Sequence, residues 1–487
     1  MSEGINYKKI GLKAGLEIHV QLNTKHKLFC NCSTEMKEKE PVAIIKRKQH
    51  PVQSELGEVD VAAQYEYLRN RTFYYQVFRN EVCLIDLDEE PPLPLNQEAL
   101  EIALQIALLL NCSIPEEIHV MRKTVIDGST PMGFQRTAII GKDGFLKYKG
   151  KKIEIKHVCL EEDAAAIVKE EDGNVTYRLS RLGIPLVEIS TGLLEGFSPE
   201  EIQEIAYFIG LTCKSTGKVK RGIGTIRQDL NVSIKKGKRV EIKGVQELGL
   251  IAKVIELEVK RQLELIEKGQ KIEEETRAAL PDATTKFLRP LPGAARLYPE
   301  TDIAPIIVSK ELIERIKKSL PEPWTKKLAR FKTKLKLSDD LAKQIIRSDY
   351  LEIFEKIVEK KRVEPSIVAN TFVSTLKDLE KREKVNVENL TEKHFLEVFD
   401  ALARKQLIKE ALPQVLAYLA KNPDKSVSFA VKELDLKPIK VSELKEIAKS
   451  IVTKDMPFEK ALGLVMSKVR GKIEAKEVMK VVKKLLK

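Results

Sequence analysis

Residues 15–22 read GLEIHVQL. Leu16, Ile18, Val20 and Leu22 alternate with Glu17, His19 and Gln21, a period of two that specifies a β-strand. One face is apolar, and the other carries a carboxylate, an imidazole and an amide. Half-solvated antiparallel strands alternate in the same way. This strand alone therefore leaves open whether its polar face meets water or lines a site.

The same alternation recurs as far as residue 305, in KKIEIKHVCL, GIPLVEIS, TIRQDLNVSI and KRVEIKGV. RVEIKGV puts Arg239, Glu241 and Lys243 opposite Val240, Ile242 and Gly244. IRQDLNVSI puts Arg227, Asp229, Asn231 and Ser233 opposite Ile226, Leu230, Val232 and Ile234, and in LVEIS Glu188 stands between Val187 and Ile189. A freely varying solvated face draws on Lys, Glu, Thr and Ser, whereas these faces carry Glu, His, Arg, Asp and Asn, residues suited to a concave polar site. Amphipathic helices interrupt the strands. One is NQEALEIALQIALLLNC; another is SPEEIQEIAYFIGLTC, where Ser198, Pro199 and Glu201 form an N-terminal helix signature.

The proline-rich RPLPGAARLYPETDIAPI ends this mixed region, and beyond it only helical periodicity remains. The expected architecture is α+β: a mixed or antiparallel-sheet cradle over residues 1–305, an all-helical domain over 306–410, and a small basic helical tail domain over 411–487. The tail is expected to bind nucleic acid. It holds 17 Lys and Arg against 9 Asp and Glu, a large share of the net charge of +13 and a sharper sign of a nucleic-acid partner than a basic average. Lys-rich composition also accompanies heat adaptation, so the overall charge decides little. No apolar run is long enough to span a bilayer, and the N-terminus lacks the apolar stretch of a secretion signal, so a cytoplasmic location away from membranes is expected.

Among the chemical motifs, CLEEDAAA offers Glu161, Glu162 and Asp163. A cluster of Glu17, His19, Glu161 and Glu188 has the oxygen-rich character that hard divalent cations require, although the imidazole suits Mn²⁺ or Zn²⁺ better than Mg²⁺. Cys30 and Cys32 form one C-x-C, followed only by Cys83. That is short of the four ligands of a structural zinc site, so buried free thiols are the reading. A phosphate-loop motif is missing. RGIGT, at 221–225, is a short glycine turn that alone says little.

Taken together, GLKAGLEIHVQLNTKHKLFCNCSTE, SELGEVD, HVMRKTVIDGSTPMGFQRT, CLEEDAA, RLGIPLVEIS, GTIRQDLNVSIKKGKRVEIKGVQEL and LRPLPGAARLYPETDIAPI resemble the GatB/GatE family of tRNA-dependent amidotransferase subunits, in wording the archaeal GatE branch. The resemblance implies a synthetase-like enzyme subunit, a carbon–nitrogen ligase that phosphorylates the γ-carboxylate of Glu-tRNA(Gln) with ATP and Mg²⁺. It implies amidation with ammonia from a GatD-like, asparaginase-related glutaminase, within a hetero-oligomer. It assigns the metal and catalytic positions to Glu17, His19, Glu161 and Glu188. Arg227, Lys243, Lys123 and Arg136 follow as candidates for ATP or phosphate contact, or as ion-pair partners outside the sheet. Two departures stand out. The insertion domain related to aspartyl-tRNA synthetases is missing after LIAKVIELEVKRQ, and the bacterial four-cysteine zinc pattern is reduced to three. The alternatives are a GatB-type subunit of a heterotrimeric Asp/Glu-tRNA amidotransferase and a non-catalytic tRNA-binding scaffold.

Overall fold

The protein is described from a computed structural model, which covers all residues except 1–4, 54–56, 223, 294–296, 361–362, 454–455 and 487. Part of SELGEVD, the centre of RGIGT and part of the proline-rich stretch therefore lie outside the described residues. The opening octapeptide forms most of β1 (Lys13–Gln21), and its burial alternates as its sequence does. The other strands of three or more residues are β2 (Ala43–Arg47), β3 (Thr72–Val77), β4 (Val120–Thr124), β5 (Phe134–Tyr148), β6 (Lys151–Glu162), β7 (Ala166–Glu171), β8 (Asn174–Arg178), β9 (Pro185–Thr191), β10 (Ile226–Ser233), β11 (Val240–Val245), β12 (Glu275–Ala279), β13 (Thr285–Pro290) and β14 (Leu297–Pro299).

Eleven strands make one large sheet in the order β13-β12-β11-β10-β1-β9-β6-β5-β4-β14, with a short strand at Leu194–Glu195 also paired to β1. It is mixed: β11 and β12 run parallel, and the other pairings are antiparallel. Strand β1 lies in the middle, flanked by β9 and β10, so its polar face is surrounded by the polar faces of other strands rather than by water alone. Helices α1 (Gln97–Leu109), α2 (Pro199–Lys214) and α3 (Ile251–Glu267) cover the opposite face. Leu16, Ile18, Val20, Val187, Ile189, Leu230 and Ile242 point there and are buried with the apolar stripes of these helices. The expected N-terminal signature of α2 is a complete capping box: the Glu201 N–H donates to the Ser198 hydroxyl, and the Ser198 N–H donates to the Glu201 carboxylate.

A smaller sheet, β2-β3-β8-β7, packs Phe73, Tyr75 and Tyr177 beneath the 127–131 loop. The Tyr75 and Tyr177 hydroxyls donate to the carbonyls of Gly128 and Asp127. Gly128 has φ +90°, and a Cβ there would lie 2.3 Å from the Phe73 ring, so only glycine permits this approach. The Ala165 N–H then donates to the Ser129 carbonyl, which ties the loop to the segment just after Glu161–Asp163.

The chain divides into compact units Met1–Pro323 and Trp324–Lys487. The first extends past the expected limit at 305 because α4 (Lys310–Lys318) packs on α1 and buries Ile316 in the core of the large sheet. In the second, helix Leu412–Lys421 packs against Leu376–Glu383 and Glu392–Ala403, so the expected break at 410 falls inside a packed group. The terminal helices have their own core, built on Leu444, Ala448, Ala461, Val465, Val478 and Val482. No described helix is long and apolar enough to cross a membrane.

Candidate active site

Register converts the alternation into a site. In the central pairings His19 lies opposite Glu188 of β9, and Glu17 lies opposite Asp229 of β10. Glu188 in turn faces Cys159 of β6, and Glu161 stands two residues further along that strand. Potential ligand atoms of His19, Glu161 and Glu188 all fall within 4.8 Å of one another, and His19 Nε2 is 3.3 Å from Glu188 Oε2. Glu17 does not complete this group. It joins a neighbouring one with Asp229 and Glu241, also within 4.8 Å.

Each acidic group holds an ammonium. Lys123 Nζ lies 2.8 Å from Glu161 Oε1 and 3.7 Å from Glu188 Oε2. Lys243 Nζ lies 3.3 Å from Asp229 Oδ2 and 3.2 Å from Glu241 Oε1. A β-bulge places Lys243 there: the β10–β11 register shifts between Gln228 and Leu230, and Gly244, at φ +79°, donates its N–H to Asp229 Oδ1. Further donors fix the carboxylates, namely Gln135 to Glu161, Asn231 to Glu17 and Thr276 to Glu241.

The charges shift accordingly. Burial pushes the Glu17 carboxyl up, and Glu188 adds to this. Burial opposes a charge on His19, but the hydrogen bond to Glu188 and the surrounding carboxylates outweigh it and raise its pKa. Glu188 is buried too, yet Lys123, His157 and His19 together hold it well below the usual carboxylate range. Asp229 and Glu241 are lowered against the cost of burial, chiefly by Lys243. Buried carboxylates gathered around a lysine ammonium have the donor chemistry of hard-cation sites. The lysines stand where cations would be held, so the residues fit Mg²⁺.

The remaining sequence candidates part company. Arg227 borders the site, but its guanidinium is committed to Asp163 Oδ1 at 2.7 Å. Arg136 takes the ion-pair alternative, inside the fold rather than outside the sheet. It is 1% exposed, facing away from the carboxylate groups, with Glu300 Oε2 2.8 Å from its Nε and Glu162 Oε1 3.4 Å from its Nη1. A guanidinium enclosed by two carboxylates, over the rings of Phe29 and Phe134, anchors the fold. Gln21, read from the sequence as an ordinary polar neighbour, is buried and donates to Asp163 Oδ2. Sequence reading also left out Asp229 and Glu241. Their alternation placed both on polar faces, but only register reveals that they meet Glu17.

Residues 12–314 match the GatB/GatE catalytic domain, and residues 352–486 match the GatB domain. The chain belongs to the GatB/GatE family. Among its relatives is the E-type subunit of glutamyl-tRNA(Gln) amidotransferase from Methanocaldococcus jannaschii, 37% identical with 99% of each chain covered. Those of Saccharolobus solfataricus and Aeropyrum pernix are each 36% identical, covering 100% and 98% of this chain and 99% and 97% of their own. The alignment to the first runs over 628 positions against 487 residues here, so that GatB/GatE relative carries residues with no counterpart in this chain.

The three cysteines gain a neighbour that their count does not show. Counting cysteines left Cys30, Cys32 and Cys83 one ligand short, but the structure brings Asp86 to them, with all four ligand atoms within 4.8 Å. Asp86 Oδ2 accepts from Lys27 Nζ at 3.0 Å and from the Cys83 N–H at 3.1 Å, which orients the carboxylate. Among the thiols, Cys83 is shifted downward because Cys30 and Cys32 donate to it. Three thiols and a carboxylate in a partly buried tetrad have the donor types of a structural zinc site.

Proposed function

We propose that this chain is the synthetase-like subunit of a tRNA-dependent amidotransferase that converts Glu-tRNA(Gln) to Gln-tRNA(Gln), using ATP, Mg²⁺ and ammonia from a glutaminase partner. One observation carries the reading: two carboxylate groups, each with its own lysine, lie side by side on the polar face of one sheet. The names of the relatives, E-type subunits of glutamyl-tRNA(Gln) amidotransferase, support the same substrate and reaction class.

The chemistry explains why such a face is needed. A carboxylate is a poor electrophile, and its oxygen must first become a leaving group. The γ-carboxylate oxygen of the esterified glutamate attacks the terminal phosphorus of ATP, and ADP departs. Ammonia then attacks the acyl carbon, inorganic phosphate leaves and the nitrogen loses a proton, giving the amide. Mg²⁺ supplies charge neutralisation on the phosphates when bound. His19, Glu161 and Glu188 would hold one ion, and Glu17, Asp229 and Glu241 are the second oxygen-rich position. Lys123 and Lys243 are the ammonium groups beside these carboxylates and would be the phosphate-binding cations were the carboxylates neutralised by metal. Arg227 and Gln21 act through Asp163, holding the segment after Glu161 in place. The sheet and its helices form a rigid floor that shelters the acyl phosphate from water.

The test is ATP hydrolysis by the purified complex with Glu-tRNA(Gln). Glu188→Gln and Glu17→Gln are each expected to lower the stimulated rate by about 100-fold or more while tRNA binding persists. Wild-type rates in both would overturn the site assignment. A complex that binds charged tRNA yet hydrolyses no ATP would instead mark a scaffold. Co-purification with an amidase and a small third subunit, in place of an asparaginase-like glutaminase, would mark the GatB-type assembly.

A further inference from the structure

Beside the site just described stand two metal-ligating side chains that this reaction does not use. On β6, His157 and Cys159 share a face, paired with Ser190 and Glu188 of β9. Potential ligand atoms of His157, Cys159 and Glu188 lie within 4.8 Å of one another. The two oxygens of Glu188 divide between two imidazoles: Oε2 is 3.3 Å from His19 Nε2, and Oε1 is 3.8 Å from His157 Nε2.

We propose that His157, Cys159 and Glu188 form a separate site for a soft divalent ion of the zinc type, sharing Glu188 as a bridge with the candidate Mg²⁺ position. The donor set makes the distinction. Imidazole with thiolate favours zinc or cobalt, whereas the neighbouring group of one imidazole and two carboxylates has no thiol and is oxygen-rich. Three protein ligands of these kinds leave a fourth position open, the pattern of zinc sites that also bind water or a substrate atom. Cys159 is buried, and Thr137 hydrogen-bonds to its thiol. The His157 side chain is 36% exposed, which gives an ion a way in. On binding, the sulfur–metal bond forms as the S–H bond breaks, and the proton leaves to water. No electron is transferred. Occupancy of one position then alters affinity at the other, because one carboxylate serves both.

The inference is tested with cobalt(II) on the full chain, after the Cys30–Cys32–Cys83–Asp86 group has been filled with zinc and without ATP or tRNA. Expected is a near-ultraviolet sulfur-to-cobalt charge-transfer band that Cys159→Ser abolishes, with a dissociation constant that His157→Ala raises at least about tenfold, a loss of about 1.4 kcal/mol. A band that survives Cys159→Ser, or an affinity that His157→Ala leaves unchanged, overturns it. His157 is half-exposed, so its variant remains informative should Cys159→Ser fold poorly. The measurement needs no amidotransferase activity, so its failure is distinct from failure of the proposed function.

Discussion

Gln21 Nε2 donates to Asp163 Oδ2 at 2.5 Å, and Arg227 Nη2 closes the other oxygen at 2.7 Å. Asp163 is 1% exposed, so these two donors, with the Ala164 N–H, solvate a charge that water does not reach. They also lock the turn after Glu161–Glu162 to β1. Gln21→Ala should cost about 1–3 kcal/mol in urea unfolding, because a buried acceptor loses its donor. Gln21→Glu should cost more, since it sets a second carboxylate against the first. Unfolding midpoints equal to wild type in both variants would remove Gln21 from this role.

Why GLEIHVQL revealed so much and its neighbours less is a matter of range. Alternation is local, so the strand, its two faces and the Ser198–Glu201 capping box can be read along the chain. Register is long-range. Nothing near Glu17 says that Asp229 will face it, and a slip of one residue would turn every polar side chain into the core. The β10–β11 bulge that aims Lys243 leaves no mark beyond the glycine at 244. Arg136 could be read either way for the same reason. It borders a loop that looks like a binding site, but its partner Glu300 lies 164 residues away. Asp86 was missed because a carboxylate at the fourth position of a cysteine cluster is invisible to a count of cysteines.

Lys123 separates two roles that wild-type behaviour merges. In the ion-free site its ammonium shields Glu161 and Glu188 from each other; with ATP bound it is expected on phosphate. Lys123→Ala should therefore bind Mn²⁺ more tightly, read by electron paramagnetic resonance, while stimulated ATP hydrolysis falls by about 10²–10³-fold, the typical loss of one electrostatic stabiliser. Weaker Mn²⁺ binding together with unchanged hydrolysis would place Lys123 outside the reaction.

Metal removal probes the thiol group independently. Elemental analysis of the protein purified without added metal should find at least one zinc per chain, with one equivalent lost in Cys83→Ser and weakened in Asp86→Asn. Chelation should lower the melting temperature, because zinc binding to a preformed site contributes directly to folding free energy. A zinc-free protein with an unchanged melting temperature on zinc addition would return Cys30, Cys32 and Cys83 to plain buried thiols.

The Glu300 network gives a pH dependence remote from the candidate site. Burial would raise the Glu300 carboxyl, but Arg122, the Asp302 N–H and Arg136 together hold it below its ordinary 4.5. The unfolded chain thus binds the proton more readily. This contribution to stability is complete above pH 4.5 and is lost as pH falls through the folded value. Glu300→Gln should flatten that part of the acid unfolding profile and cost roughly 3 kcal/mol at neutral pH, since Arg136 stays buried with one partner gone. An acid limb identical to wild type would assign the loss to other carboxylates.

Truncation of the tail has to respect its packing. A cut at 410 would strip helix Leu412–Lys421 from the helices it packs against, so a fall in tRNA binding could simply reflect unfolding. Ile439 is the better boundary. Its N–H donates to the Lys472 carbonyl, and it packs on the separate core of the terminal helices. Residues 439–487 still carry 13 Lys and Arg against 6 Asp and Glu, nearly all the excess positive charge of 411–487. If this segment grips the tRNA phosphates, its removal should weaken binding at least about tenfold at low salt. It should also lower the slope of log K against log salt by about 0.7–0.9 for each phosphate that the segment neutralises. Helical circular dichroism from the remaining chain checks that the rest is folded. A truncated protein with wild-type salt dependence would move the tRNA-binding surface elsewhere on the chain.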